Sequence, residues 1–183
     1  GLFDAGFTTG SAHRLSQGPI ERHPYLASQQ RVTFARVGVI DPVSVAEYVA
    51  QDGFQGLREA LRATPADIVR IVTESGLRGR GGAAFPTGIK WKTVLEQATT
   101  QKYIACNADE GDSGTFADRL LMEGDPFQLI EGMTIAGLAV GATQGYIYLR
   151  VEYPHAHRAL NEALVAARRA GFLHALQEVA ARV

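Results

Sequence analysis

The residues best suited to hold a ligand lie in the stretch 76–91, where glycines alternate with Arg78, Arg80 and Lys90. Glycines at this density let the main chain turn sharply and come close to a ligand. The backbone N–H groups that such a turn exposes, together with the cations, favour an anion such as a phosphate. Phe85 adds a flat apolar face. The stretch therefore predicts a site for an aromatic ligand that carries phosphate, such as a flavin nucleotide or a dinucleotide. Its candidate site residues are Gly79, Arg80, Gly81, Gly82, Phe85 and Lys90.

A second polar segment follows the short apolar run 102–107, which is typical of a buried parallel strand. In open α/β sheets, ligands bind beyond the carboxyl ends of the strands. An amide and three carboxylates at such a place are therefore a second candidate for ligand binding. The candidate residues of this segment are Asn107, Asp109, Glu110, Gly111 and Asp112.

Generic nucleotide-binding motifs do not describe the glycine-rich stretch. Residues 79–84 match the pattern G-x-G-x-x-A, but that fingerprint must follow a strand. Here the segment 64–75 begins with Thr-Pro and ends at Ser-Gly, which predicts a helix. A Walker phosphate loop also fails, because Ile89 separates Gly88 from Lys90 and no Ser or Thr follows that lysine. On these grounds alone, a flexible glycine loop without a ligand stays open as an alternative.

Helices and strands alternate in the pattern that must position these residues. A second strand is predicted at 145–150, and strand–helix–strand order implies parallel pairing with a right-handed crossover. A short strand or packed extended segment is expected at 37–40, and Thr115 with Asp118 is expected to cap a helix over 116–123. Further helices are predicted at 44–52, 54–61, 64–75, 89–96, from Asp125-Pro126 onward and 154–171, with helical propensity in the tail 172–183.

The fold class indicated is α/β, with a partial Rossmann-like parallel sheet flanked by helices. Residues 1–35 lack a steady period and are interpreted as an irregular N-terminal arm or linker, and residues 36–183 as the domain. Two confident strands are few for a sheet that must bury both faces. A part of a larger domain is therefore expected, and the start at Gly1 rather than Met is consistent with an excised piece.

Composition excludes several classes of function. With 183 residues, 46% apolar and 20% charged, the chain has the balance of a soluble protein of about one domain. A formal net charge of −1 gives no basic field for nucleic acid or anionic lipid. Cys106 is the single cysteine, which excludes an internal disulfide or a multi-cysteine metal site and favours a reducing, cytoplasmic compartment. The longest near-apolar run, 133–140, is too short to span a bilayer.

Four ordered segments carry a family resemblance: residues 75–91, 102–116, 129–133 and 146–150. They resemble the family of FMN- and NADH-binding flavoprotein subunits. That family includes the flavin subunit of respiratory complex I, the diaphorase of NAD-reducing hydrogenases and the beta subunit of soluble NAD-dependent formate dehydrogenases. The resemblance covers roughly residues 25–173. The segments that look most like the formate dehydrogenase branch are Ala83-Ala84, Gly111-Asp112-Ser113, Gly124-Asp125-Pro126-Phe127 and 31–38.

The resemblance implies roles for the glycine-rich stretch. In this family the loop 79–82 and Lys90 hold FMN, and Phe85 looks like the aromatic residue that stacks on the dinucleotide. No acid, base or nucleophile is implied, because hydride passes directly between the nicotinamide and FMN. The protein's part in such a reaction is alignment and electrostatics.

The resemblance also implies roles for the acidic segment. Asn107 and Asp109 would bind polar atoms of the FMN ribityl chain or ring. Glu110 and the following peptide would line the face where the nicotinamide docks. Asp112 stands where the complex I branch usually has Glu.

The function implied is hydride transfer between NAD⁺/NADH and FMN in a multi-subunit dehydrogenase, with formate as the expected substrate. Electrons would pass to or from iron–sulfur and catalytic dehydrogenase subunits. Two family segments are missing, namely a glycine-rich stretch with paired glutamates and a four-cysteine segment for a 4Fe–4S cluster that Cys106 cannot replace. FMN binding by this chain alone is therefore expected to be weak or lost. Alternatives are a scaffold that docks neighbouring subunits, a hydrogenase diaphorase, and a nucleotide-binding regulator without redox chemistry.

Overall fold

The computed structural model describes residues 22–112, 114–173 and 178–182. Contacts divide the chain into two units, of which one ends at Thr33 and the other begins at Phe34. In the first unit, Pro24–Ala27 forms helix α1. Residues 1–21 of the predicted arm lie outside the described residues.

The second unit alternates helices with three strands in its described part. Among its helices, none combines the length and hydropathy that crossing a bilayer would require. The helices are α2 (Val45–Ala50), α3 (Gln55–Ala60), α4 (Pro65–Glu74), α5 (Thr87–Leu95), α6 (Ala117–Gly124), α7 (Pro126–Val140) and α8 (Pro154–Arg169). The strands are β1 (Tyr103–Ala108), β2 (Gln144–Leu149) and β3 (Glu178–Arg182).

Helix α4 begins where its capping residues predict. The Thr64 hydroxyl oxygen accepts the Asp67 N–H at 3.2 Å, and Pro65 occupies the first helical position. A hydrogen bond from the Thr64 hydroxyl lowers the pKa of the Asp67 carboxyl. The helix ends before Gly76, whose φ of 68° places it in the left-handed region that glycine tolerates. The glycine-rich stretch therefore follows a helix, as predicted.

The three strands form one parallel sheet in the order β1-β2-β3. In the register, Tyr103 faces Gln144 and Ala108 faces Leu149. Parallel pairing of the two predicted strands is confirmed. The helices α6 and α7 connect β1 to β2, and α8 follows β2 along the chain.

The expectation that β1 is buried on both sides is wrong for the described residues. Ala108, Ile147 and Leu149 are buried against the helices, whereas Tyr103 and Tyr148 on the opposite face are 54% and 62% exposed. The alternation arises because the described helices pack on one face of the sheet. A strand covered on one side needs an apolar side chain only at every second position.

Two further expectations from sequence are corrected. The tail has helical propensity, but Glu178–Arg182 pairs with β2 as strand β3. Helix propensity is a weak prior, and pairing with an existing strand overrides it. Residues 37–40 form turns rather than a strand, with the Val39 N–H donating to the Arg36 carbonyl at 2.9 Å and Gly38 at a φ of 78°.

Helix α7 forms the centre of the core. Ile130, Met133, Ala136 and Val140 are buried along it. From α8, Leu160, Ala163, Leu164 and Ala167 are all buried as well. The buried residues of both helices recur at the spacing of one helix face.

Glu131 of α7 fixes the start of the short helix α3. Its carboxylate accepts the Phe54 N–H and the Leu57 N–H, both at 2.9 Å, and the Tyr48 hydroxyl at 2.6 Å. Burial, followed by this hydrogen bond to Glu131, raises the pKa of the Tyr48 hydroxyl. Glu131, which belongs to a segment that carries the family resemblance, is thus a structural cap.

Candidate functional site

The glycine-rich loop joins α4 to α5 and is closed by main-chain hydrogen bonds. The Gly79 N–H donates to the Phe85 carbonyl, and the Thr87 N–H donates to the Leu77 carbonyl, each at 2.9 Å. Gly82 and Ala84 have φ values of 100° and 49°, so the loop turns back through the left-handed region. The loop thus has a defined shape between its two helices.

The tip of the loop presents bare main chain. A Cβ atom added at Gly81 or Gly82 would meet no atom within 4 Å. The N–H groups of residues 80–84 have no acceptor among the described residues. Unpaired N–H groups beside open space can bind an anion or lie against a flat ring. Binding of a flavin phosphate or ring at this surface stays a prediction.

The three cations in and after the loop differ in whether they have a hydrogen-bond partner. Arg78 Nε donates to the Ala84 carbonyl and Arg80 Nη1 donates to the Arg78 carbonyl, both at 2.6 Å, so both guanidinium groups brace the loop. The exposed Lys90 amine, in the first turns of α5, has no ion pair within the described part of the chain. Lys90 thus differs from Arg78 and Arg80 in having no partner within the described part of the chain, and its role in ligand binding stays a prediction.

Close packing of α4 against α5 fixes where the loop ends. Gly88 is buried, and a Cβ atom there would lie 2.6 Å from the Cα of Thr73 and would overlap the Thr73 hydroxyl oxygen. That hydroxyl donates to the Val69 carbonyl at 2.7 Å. The absence of a side chain at Gly88 lets the two helices approach, and this sets the direction in which α5 leaves the loop.

The acidic segment leaves the carboxyl end of β1. The Asn107 side-chain oxygen accepts the Asp109 N–H at 3.1 Å, which forms a local turn. Gly111 and Asp112 are exposed, and Ser113 lies outside the described residues. The ligand-binding roles of these residues, of Phe85 and of the glycine loop stay predictions.

Glu110 has a role that the sequence did not predict. Its carboxylate accepts the N–H groups of Asp118 (2.8 Å) and Arg119 (2.9 Å) at the start of α6, and the Tyr153 hydroxyl at 3.1 Å. The predicted cap by Thr115 is wrong, because the Thr115 side chain makes no capping bond to α6. A carboxylate brought from a neighbouring loop satisfies the free N–H groups of the helix instead. Glu110 thus turns its carboxylate towards the protein.

An open cleft of about 480 Å³ lies beside the carboxyl half of β1. Burial raises the pKa of the Cys106 thiol to about 11, so this thiol stays protonated at neutral pH and is unreactive. Among the described residues, those of the glycine loop do not line the cleft. Its lining residues are Ala105, Cys106, Asn107, Asp109 and Tyr148.

Sequence reasoning missed Arg150, Tyr148 and Tyr153 at this edge of the sheet. Arg150 directly follows β2, and its Nη1 donates to the Glu110 carbonyl at 2.8 Å. The signal was available, since the carboxyl ends of neighbouring parallel strands lie at the same edge. A charged residue at the end of β2 therefore belongs beside the segment that follows β1.

Comparison with known proteins shows the family. Residues 72–182 match the family model described as the Nuo51 FMN-binding domain. The chain is 50% identical over 145 residues to the NADP-reducing hydrogenase subunit HndC of Solidesulfovibrio fructosivorans, covering 79% of this chain and 29% of that protein. It is 48% identical over 143 residues to an NADH-quinone oxidoreductase subunit of Rhizobium meliloti (strain 1021), covering 78% and 34% respectively.

A solved structure gives the same result. The crystal structure of an NAD⁺-reducing [NiFe]-hydrogenase in the air-oxidized state matches with a TM-score of 0.62 and 32% identity, covering 84% of this chain and 25% of that one. The chain thus spans about a third or less of the length of these relatives. The predicted α/β class and the predicted flavoprotein family are both confirmed. The chain belongs to the Nuo51 FMN-binding domain family.

Proposed function

We propose that this chain is the FMN-binding part of a subunit that exchanges electrons between NAD⁺/NADH and iron–sulfur centres in a multi-subunit oxidoreductase. The observation that carries the proposal is the bare tip of the glycine loop. There is open space over Gly81 and Gly82, the N–H groups at 80–84 are free, and the unpaired Lys90 amine lies on α5, the helix that follows the loop. Such a surface suits a flat ring that bears negative charge.

Different residues would bind different parts of FMN. The glycines would face the ring, and Lys90 would balance negative charge on it. Asn107 and Asp109 would bind polar groups from the end of β1. Bound FMN would accept a hydride from NADH and release its electrons singly to iron–sulfur centres. The chain's own part is to align the two ligands and to tune the charge around the ring.

The packing of α5 supports a site between the loop and the strand end. The Lys102 amine donates to the Leu95 carbonyl at 2.9 Å, which joins the last residue of α5 to the start of β1. Trp91 and Ile104 pack against the same buried cluster. A helix joined to a strand by a short loop runs antiparallel to it in most α/β folds. That arrangement would bring the start of α5 towards the carboxyl end of β1.

The finer assignments rest on the chain's own sequence and on its relatives' names. Segments 83–84 and 31–38 support formate as the terminal substrate. One relative is named as a hydrogenase subunit and another as an NADH-quinone oxidoreductase subunit, so hydrogen and quinone are the competing substrates. A cytoplasmic location is proposed from the single cysteine.

Purification of the full-length subunit tests the proposal. We expect a yellow protein that releases FMN on denaturation and oxidises NADH with ferricyanide as electron acceptor. A colourless protein that does not bind added FMN would contradict the proposal and support a scaffold that docks other subunits. Binding of ATP without oxidation of NADH would support a nucleotide-binding regulator instead.

A further inference from the structure

We propose that Arg150 is a positioning residue, which holds the segment 107–112 in the shape that binds the ligand. Arg150 would act on the ligand only through its contacts with other residues of the protein. This role rests on the proposed function, because it assumes that the segment 107–112 binds FMN. The juxtaposition that carries it is the Arg150 guanidinium against the Glu110 carbonyl, at the point where β2 ends beside β1.

Arg150 divides its donors between two partners. Nη1 donates to the Glu110 carbonyl at 2.8 Å, while Nε and Nη2 donate to the Glu152 carboxylate at 3.2 and 3.1 Å. The guanidinium also lies 5.2 Å from the centre of the Tyr153 ring. The guanidinium of an arginine has five N–H donors in one plane. One edge of it can therefore bind a carboxylate while another N–H group donates to the neighbouring loop. The Glu152 pair and the Tyr153 ring therefore orient Arg150, and Arg150 orients Glu110.

The main chain at Glu110 needs such support. Its φ of 45° lies in the left-handed region, which is unfavourable for a residue with a side chain. The Glu110 carboxylate accepts hydrogen bonds from the first N–H groups of α6 and from the Tyr153 hydroxyl. The main-chain carbonyl of Glu110 accepts a hydrogen bond from Arg150. The residue is thus held at both its side chain and its main chain. Without Arg150, nothing among the described residues would bind the carbonyl.

Fixing the Glu110 carbonyl also fixes the next N–H group. In a trans peptide the carbonyl and the following N–H point in opposite directions. Because the Glu110 carbonyl points to Arg150, the Gly111 N–H must point away from it. The Gly111 N–H has no acceptor among the described residues. Arg150 therefore fixes the direction of this free donor, on the side away from its own guanidinium.

Three variants test the inference. Arg150→Gln removes the charged donor, Arg150→Lys keeps a cation that can reach the carbonyl, and Glu152→Gln removes only the exposed ion-pair partner. In the 183-residue chain without ligand, amide hydrogen exchange is measured in the peptide 107–112. We expect exchange to rise at least tenfold in Arg150→Gln, with peptides from α7 unchanged, and to stay near wild type in Arg150→Lys. In Glu152→Gln exchange should rise by less than in Arg150→Gln, because the Tyr153 ring still orients the guanidinium. Unchanged exchange at 107–112 would overturn the inference.

FMN titration of the full-length subunit supplies the functional measurement. Quenching of FMN fluorescence should give a Kd about tenfold higher or more for Arg150→Gln, recovered in large part by Arg150→Lys. Circular dichroism should show all variants folded at the temperature of the titration. Equal FMN affinity in folded Arg150→Gln and wild type would overturn the positioning role. Failure of the wild type to bind FMN would instead overturn the proposed function, while hydrogen exchange would still test the contact itself.

Discussion

Replacing Gly88 by Ala tests the packing that sets the position of the glycine loop. The new Cβ would lie 2.6 Å from the Cα of Thr73, whereas ordinary contacts begin at 3.4 Å. Because a backbone atom cannot rotate away, α4 and α5 must separate by about 0.8 Å, the difference between those two distances. Overpacking of this kind costs about 1–3 kcal/mol, which corresponds to a fall in Tm of about 2–12 °C for a chain of this length.

The assay is thermal and urea unfolding followed by circular dichroism, with Gly81→Ala as the matched control. A Cβ atom at Gly81 meets nothing within 4 Å, so we expect the stability of the control to change by less than about 0.5 kcal/mol. Removing the Thr73 hydroxyl by Thr73→Ala should relieve only part of the cost, because the Cα of residue 73 remains. Equal stability of Gly88→Ala and wild type, or equal losses at Gly88 and Gly81, would refute this account of the helix packing.

Three other predictions concern a half-buried helix cap, a thiol and a charge. Glu131→Leu leaves two main-chain N–H groups and the Tyr48 hydroxyl without their acceptor. Unfolding in urea should therefore show a free energy of unfolding lower by about 3 kcal/mol. A decrease under about 1 kcal/mol would contradict the capping role. The folded state holds the Cys106 proton more tightly than the unfolded state, so the free energy of unfolding falls as pH rises from 9 towards 11. Between pH 8 and 10.5, wild type should lose about 2 kcal/mol more than Cys106→Ser. Equal losses in the two proteins would contradict the burial of the thiol. Lys90→Ala should raise the Kd for FMN about tenfold and lower the reduction potential of the flavin. The Lys92 amine lies 3.8 Å from a Glu96 carboxylate oxygen, so Lys92→Ala should change neither quantity. Equal effects of the two variants would contradict a place for Lys90 in the site.

Local signals in the sequence predicted most of the elements. The Thr64 cap with Pro65 located the start of α4, and the apolar run before Asn107 located β1 within one residue. These predictions succeeded because a helix cap and an apolar run are both set by residues that are close together in the chain. The family resemblance added the prediction of an FMN site, which no generic motif could supply.

Features that depend on distant residues could not be predicted in the same way. The cap of α6 comes from Glu110 across a loop, and Arg150 reaches Glu110 from another strand. The tail of the chain becomes β3 because β2 offers a free edge, although its residues favour a helix. Such outcomes are decided by tertiary contacts, and single-sequence patterns do not contain them.

The most direct test of the central claim is FMN binding by a Gly81→Val variant of the full-length subunit. The claim is that the bare main chain at Gly81 and Gly82 lies against the flavin. Since there is open space at Gly81, the valine should leave the fold intact and obstruct only the ligand. We predict a Tm near that of wild type and a Kd for FMN raised at least tenfold. A folded Gly81→Val variant that binds FMN as tightly as wild type would contradict the claim and place the flavin elsewhere.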